Sequence, residues 1–362
     1  MHKLELDTPQ LLIDWDVMQR NITTMQKCAD NAGVKLRPHT KTHKTPRISH
    51  LQQKAGAKGI TVAKLGEAEV MNAGGADDIL IAFPLQGAPK MERLLHLAER
   101  ANVRVSLDSR KVAQDISDAA QARGKKVGVY VEVDVGLGRV GAAHHEGARD
   151  LVREIVELPG IDFLGVMTHA GHTYKAKTLE EIKQLAHQEG EWMVETADMI
   201  RADGIQVREV SVGSTPTARF AAQVNGVTEI RPGTYVFYDT TQVLKFACDW
   251  ADCAQTVLAT VVVKHPDRLI LDCGSKTLSS DTAPNGLYGT VKGFPHLEIW
   301  RLSEEHANVR INGDGPLPNI GDKVEIIPAH ACVVMNLHDS FLATRNDETI
   351  GEFEIQARGK IR

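Results

Sequence analysis

Along the chain, short apolar runs alternate with longer segments whose apolar residues recur every three or four positions. From residue 35 onward the short runs are LRPHT, GITVA, DILIAF (78–83), VRVSLD (103–108), VGVYVEVDV (127–135), FLGVMTH (163–169), VREVSVG (207–213) and TEIRPGTYVF (228–237). Between them stand LGEAEVMNAG, MERLLHLAERA, SRKVAQDISDAAQARG and LEEIKQLAHQEGEWMVETADMIRADG. Several of these begin after Asp or Ser and stop at Gly, where helix ends find their caps. Eight strands with intervening helices predict an α/β fold, a (β/α)8 barrel over residues 9–245. The competing arrangement is a doubly wound sheet of six or seven strands. The count of eight, and the lack of a GxGxxG after the first strand, favour the barrel.

After FACDWADCAQ the helical period is lost. VLATVVVKH, RLILDCG, HLEIWRL, KVEIIPAHACVVM, SFLATR and EFEIQARGK read as short strands between Gly, Pro, Asn and Asp turns. Residues 246–362 are therefore expected to form a β domain. HKLEL, within residues 1–8, is expected to add a strand to it.

Composition narrows the function classes. With 42% hydrophobic and 25% charged residues, 30 Gly and 14 Pro, the chain is neither disordered nor collagen-like. The net charge of −5 and the absence of a basic run argue against a nucleic-acid partner and for a small one held by local charges. Five scattered cysteines, with no CxxC, fit a reducing cytoplasm rather than a disulfide framework. The charged N-terminus is not expected to be a signal peptide, and no apolar stretch of about 18 residues predicts a membrane span.

In a barrel the chemistry belongs at the C-terminal strand ends. The first run ends in Arg37-Pro38-His39-Thr40-Lys41-Thr42-His43-Lys44 and the second in Ala63-Lys64. The fifth ends in Asp134-Val135-Gly136-Leu137-Gly138-Arg139 and the sixth in His169-Ala170-Gly171-His172-Thr173-Tyr174. Gly213-Ser214-Thr215 and Gly233-Thr234-Tyr235, on the last two strands, suit a phosphate cradle of backbone N–H groups and hydroxyls. Lys41, expected on the opposite part of the ring and crowded by Arg37 and His43, suits a Schiff-base lysine with a depressed pKa. A phosphate cradle with a reactive lysine points to pyridoxal 5'-phosphate (PLP). The alternative is that both segments are ordinary turns and the lysines are solvated. His330 and Cys332 are expected on one face of a strand, where imidazole and thiolate would suit zinc. There the alternative is a buried structural cysteine beside a surface histidine.

The segments DTPQLLIDWDVMQRNI, RPHTKTHK, EVDVGLGRVG, GVMTHAGHTY, VSVGSTPT, GVTEIRPGTYVFYD, IIPAHACVVMNLHD and ARGKIR run in order over nearly the whole chain. Together they resemble the fold-type III PLP enzymes, and within these the D-serine dehydratase and D-threonine aldolase group, related to alanine racemase. The resemblance implies that Lys41 holds the cofactor; Lys64, which follows the second strand, is the fallback. It implies that His169 packs on the pyridine ring and Arg139 contacts its phenolic oxygen, while Arg231 lies near the ring nitrogen. Gly213, Ser214, Thr215, Gly233 and Tyr235 would hold the phosphate. His330 and Cys332 would bind a divalent metal near the cofactor, zinc or else manganese. It further implies a homodimer acting on a small D-amino acid, with His172 and Tyr174 as candidate catalytic residues.

The branch is read from local motifs. HAGHTY, VSVGSTPT and the H-x-C resemble the dehydratase side, whereas NLHD and ARGKIR look more like the aldolase side. A dehydratase of D-serine, D-threonine or D-threo-3-hydroxyaspartate is the expectation, with D-threonine aldolase as its alternative. A racemase would need a tyrosine motif that Tyr288, in GLYGT, does not match. A non-enzymatic PLP carrier would lack the β domain.

Overall fold

The computed structural model describes residues 1–362. The chain forms two compact units. One comprises residues 24–41, 46–233 and 360–362, the other residues 1–23, 42–45 and 234–359. No helix is long and apolar enough to cross a membrane.

The first unit is built on eight parallel strands: Lys35–Leu36, Ile60–Val62, Asp78–Ile81, Asn102–Leu107, Val127–Asp134, Ile161–Met167, Glu209–Val212 and Glu229–Ile230. Each lies within or beside one of the eight apolar runs. In space the first strand pairs with the eighth, and the order then runs seventh, sixth, fifth, fourth, third, second. The ring closes where Thr61 N–H donates to the Pro38 carbonyl at 2.8 Å and His39 bridges Thr61. The long strand Val127–Asp134 is buried on both faces, as a parallel strand covered by helices must be. The helix Arg110–Gln121 shows the matching single apolar face, through Val112, Ala113, Ile116 and Ala120.

The barrel interior combines apolar packing with buried charge. Leu80, Tyr130 and Met167 pack as one cluster. Beside them Arg37, 2% exposed, donates from Nε to Glu229 Oε2 at 2.7 Å and from Nη1 to Asp78. Glu229 Oε1 accepts from Ser211 Oγ at 2.6 Å. This pairing commits Arg37 to two carboxylates.

The second unit is a nine-stranded sheet, antiparallel except for one pair. Six of its strands close on themselves in the order Arg268–Leu271, Ala307–Ile311, Leu297–Leu302, Gly289–Val291, Lys323–Pro328 and Gln255–Lys264, with the last pairing back to the first. Gln10–Asp14, Ser340–Arg345 and Glu348–Glu354 extend it, Gln10–Asp14 pairing parallel with Ser340–Arg345. The N-terminal expectation needs correcting here. HKLEL carries a short 3-10 helix, Lys3–Glu5, and the strand that joins the sheet is Gln10–Asp14. That pairing, with Gln10 opposite Leu258, draws residues 9–23 out of the expected 9–245 barrel. Nor is the second unit free of helices: Ser275–Leu278 and Ala331–Leu337 interrupt it.

Candidate active site

The strand ends of the barrel unit surround a cavity of about 300 Å³. Lys41, Arg139, His169, Gly213 and Arg231, all expected from sequence, line it together. His39, Lys64, Phe83 and Glu132 line it as well. Because the first strand pairs with the eighth, Lys41 follows a strand beside the eighth and one removed from the seventh. The expectation of Lys41 on the opposite part of the ring is therefore overturned.

Each cavity residue is held by something local. Asp134 Oδ1 accepts the backbone N–H groups of Gly136, Leu137 and Gly138 at 2.9, 2.9 and 3.1 Å, which folds the loop that carries Arg139. Burial opposes its charge, yet these three donors hold Asp134 below its ordinary value. Arg231 donates from Nη1 to Ser211 Oγ and from Nη2 to the Thr168 carbonyl. Burial lowers its pKa, against the opposing pull of Glu229, Glu132 and Glu189. Glu132 is raised by burial, while Arg231, Ser106 and Arg139 pull the other way. His169 is driven well below its ordinary value by burial and by Lys41, Arg139 and Arg231, so its ring is a neutral plate at pH 7. Lys64 Nζ lies 3.4 Å from the centre of the Phe83 ring, a cation–π contact.

The expected phosphate cradle is only partly as read. Gly213 has φ of +94°, which only glycine adopts without strain. Its N–H, however, donates to Glu189 Oε1 at 2.7 Å, and Ser214 N–H donates to Thr217 Oγ1 at 2.9 Å. Ser214 and Thr215 are buried in that loop, with Ser214 Oγ 3.1 Å from Thr217 Oγ1. Gly233 ends the main segment of the barrel unit. Tyr235 is fully buried in the other unit, in the turn Thr234–Val236.

His172 and Tyr174 sit on one 3-10 turn, Gly171–Lys175. Neither lines the Lys41 cavity. His172 faces a neighbouring depression of about 640 Å³ with Asp134, His144 and Trp192. Burial lowers its pKa despite Asp134.

In the second unit the expected strand through His330 and Cys332 is replaced by a helix start. Pro328 ends the strand, His330 is the N-cap, and Cys332 lies in the first turn of Ala331–Leu337. The cause is Asp239, whose Oδ2 accepts the Ala331 N–H at 2.9 Å and whose Oδ1 accepts Gln242 N–H at 2.9 Å. The two side chains still meet, hydrogen-bonded to one another. His330 Nδ1 also lies 2.7 Å from Asp281 Oδ2. Burial would lower the His330 pKa, but Cys332, Asp239 and Asp281 push it up to about 10. Thr42, the residue after Lys41 in the chain, places Oγ1 3.2 Å from Cys332 Sγ, and Thr234, after Gly233, places Oγ1 at 3.6 Å. No third His, Cys, Asp or Glu completes a three-ligand group. His338 bonds the Thr277 carbonyl at 3.2 Å, and Asp339 pairs with Arg358 at 3.0 Å.

Comparison with known proteins decides the lineage. Residues 13–241 match the alanine racemase N-terminal domain and residues 254–344 the putative serine dehydratase domain. The chain belongs to the D-serine dehydratase and D-threonine aldolase family of lyases. Its fold is that of the alanine-racemase-like proteins. Among family members, D-threonine aldolase of Arthrobacter sp is 33% identical over 360 residues, covering 98% of this chain and 93% of that one. D-threo-3-hydroxyaspartate dehydratase of Delftia sp. (strain HT23) is 35% identical over 373 residues, 97% of each chain. A cysteine-to-alanine mutant of that dehydratase has been solved in a metal-free form. The crystal structure of D-threonine aldolase from Filomicrobium marinum superposes with a TM-score of 0.92 at 30% identity, over 99% of this chain and 98% of that one.

Sequence reasoning missed Glu132, Asp239, Asp281 and Glu189. Only Glu189 left a signal: it falls on the apolar stripe of its helix, where a carboxylate is out of place.

Proposed function

We propose that this chain is a PLP- and divalent-metal-dependent dehydratase of D-3-hydroxy amino acids, releasing a 2-keto acid and ammonia. The observation that carries the choice of branch is the His330–Cys332 pair, hydrogen-bonded together with Asp281 on the imidazole. Thiolate and imidazole form a soft pair suited to zinc, and the carboxylate on the far ring nitrogen is the usual support for a metal-binding histidine.

The cavity residues fit the cofactor. Lys41, Lys64, Arg139 and Arg231 outnumber Glu132, so the space suits an anionic ligand, and the Ser214 and Thr215 hydroxyls suit its phosphate. When bound, PLP supplies a sink for electrons from the amino acid's Cα. Lys41 would hold the cofactor and carry the Cα proton. Arg231 would serve the pyridine nitrogen, Arg139 the phenolic oxygen and His169 the face of the ring. His330 and Cys332 would hold the divalent cation, which would supply a Lewis acid for the β-hydroxyl. Loss of the Cα proton and that hydroxyl as water leaves an enamine, which water hydrolyses to the keto acid and ammonia. The enzyme is read as a homodimer, which sedimentation equilibrium of the holoenzyme tests.

The second reading is a D-threonine aldolase, favoured by the aldolase relatives at comparable identity. The experiment is product analysis of D-threonine with PLP and zinc or manganese supplied. We expect 2-oxobutanoate and ammonia; glycine and acetaldehyde would transfer the chain to the aldolase branch.

A further inference from the structure

The helix Leu179–Ala202 buries a stripe of Ile182, Ala186, Met193, Ala197 and Ile200, and Glu189 stands in that stripe as its one charged residue. A carboxylate in such a place is costly unless it is hydrogen-bonded. At 1% exposure, Glu189 receives the Gly213 N–H on Oε1 at 2.7 Å. The Thr217 hydroxyl and the Ala170 N–H also favour its charged form, although Oε2 completes no hydrogen bond of its own. Burial nevertheless pushes its pKa up to about 7.

These donors belong to two loops of the cavity. Ala170 follows His169, while Gly213 opens the seventh-strand loop. Thr217 is hydrogen-bonded to Glu189 through its hydroxyl. The oxygen of that hydroxyl then accepts Ser214 N–H at 2.9 Å and lies 3.1 Å from Ser214 Oγ. Glu189 thus fixes Gly213 directly and Ser214 through Thr217. Its hydrogen bonds go to these loops, so the carboxylate serves the loop.

We propose that Glu189 is a positioning residue for the phosphate loop, and that its contacts to Gly213 and Thr217 set how strongly the barrel prefers PLP over phosphate-free pyridoxal. The proposal rests on the PLP reading above. It is tested by measuring equilibrium dissociation constants of PLP and pyridoxal for the full-length apoenzyme and for its Glu189→Gln and Thr217→Val variants. A glutamine keeps one acceptor but loses the charge; a valine cuts the link to Ser214. We expect each variant to lower the PLP-over-pyridoxal preference roughly tenfold. The double variant should lose little more than Glu189→Gln alone, because both act on one chain of contacts. If PLP and pyridoxal weaken equally, or neither weakens, Glu189 only fills the core and the proposal falls. Thr217→Val carries the same test should Glu189→Gln not fold. A wild-type protein that binds no PLP would instead remove the cofactor reading, and this proposal with it.

Discussion

The Lys41 cavity and the His330–Cys332 pair are built in opposite ways. The cavity gathers residues from the ends of several strands of a closed ring, each tied down by its own local contacts. Asp134 holds the Arg139 loop, Ser211 and Thr168 hold Arg231, and Glu189 holds Gly213. The pair depends on a single helix start, anchored by Asp239 and supported by Asp281. The first arrangement spreads its geometry over many contacts, so single changes in the supporting residues should loosen it. The second concentrates its geometry, so one change should empty it.

The largest expected effect comes from removing the covalent link. On the proposed reading, Lys41→Ala should reduce turnover about a thousandfold or more, since it would remove both the cofactor bond and the proton carrier. Borohydride reduction of the wild-type holoenzyme should fix the cofactor on the peptide containing Lys41. A label on Lys64 would move the site along the cavity wall. Next, Cys332→Ala should abolish metal retention and turnover while the protein stays yellow. Full activity with bound metal would show that the pair is structural. Third, Glu229→Ala should destabilise the barrel by about 3–5 kcal/mol in urea unfolding, because it removes the fully buried one of the two carboxylates that pair with buried Arg37. Burial raises the Glu229 pKa but Arg37, Ser211 and Arg231 outweigh it and hold it below its ordinary 4.5. Its contribution is therefore complete above that value and disappears as pH falls through the lower folded one. An acid-unfolding midpoint unchanged in the variant would contradict this. The smallest effect is Ser214→Ala, expected to weaken PLP about tenfold through one lost charge-assisted hydrogen bond. An unchanged dissociation constant would place the phosphate elsewhere.

The two regions also differ in how far they could be read from sequence. Barrel strands leave continuous apolar runs because both faces are covered, so all eight are visible, and the residues that follow each run fall at the cavity. A closed barrel of eight strands already implies that the first pairs with the eighth, as Lys35 does with Glu229, so the expectation of Lys41 across the ring overlooked closure and did not lack a local signal. In the second unit the same β-rich pattern misleads. The run KVEIIPAHACVVM is continuous in character, yet it turns into a helix at Ala331 because Asp239, far away in the chain, accepts that residue's N–H. Likewise Gln10–Asp14 resembles a barrel strand in composition, and only its partners 255–258 and 342–344 assign it to the other sheet. Local propensity identifies elements; distant hydrogen bonds decide which sheet they join and where they stop.

The pairing of the first barrel strand with the eighth has a consequence for biosynthesis. Lys35 and Leu36 leave the ribosome early, but their partners Glu229 and Ile230 follow almost two hundred residues later. Until then the ring stays open between its first and last staves, and the loops around Gly213 and Arg231 do not exist. On the PLP reading proposed above, a nascent chain would carry Lys41 long before the rest of the cofactor's site, and capture of the cofactor would be confined to the final stage of synthesis.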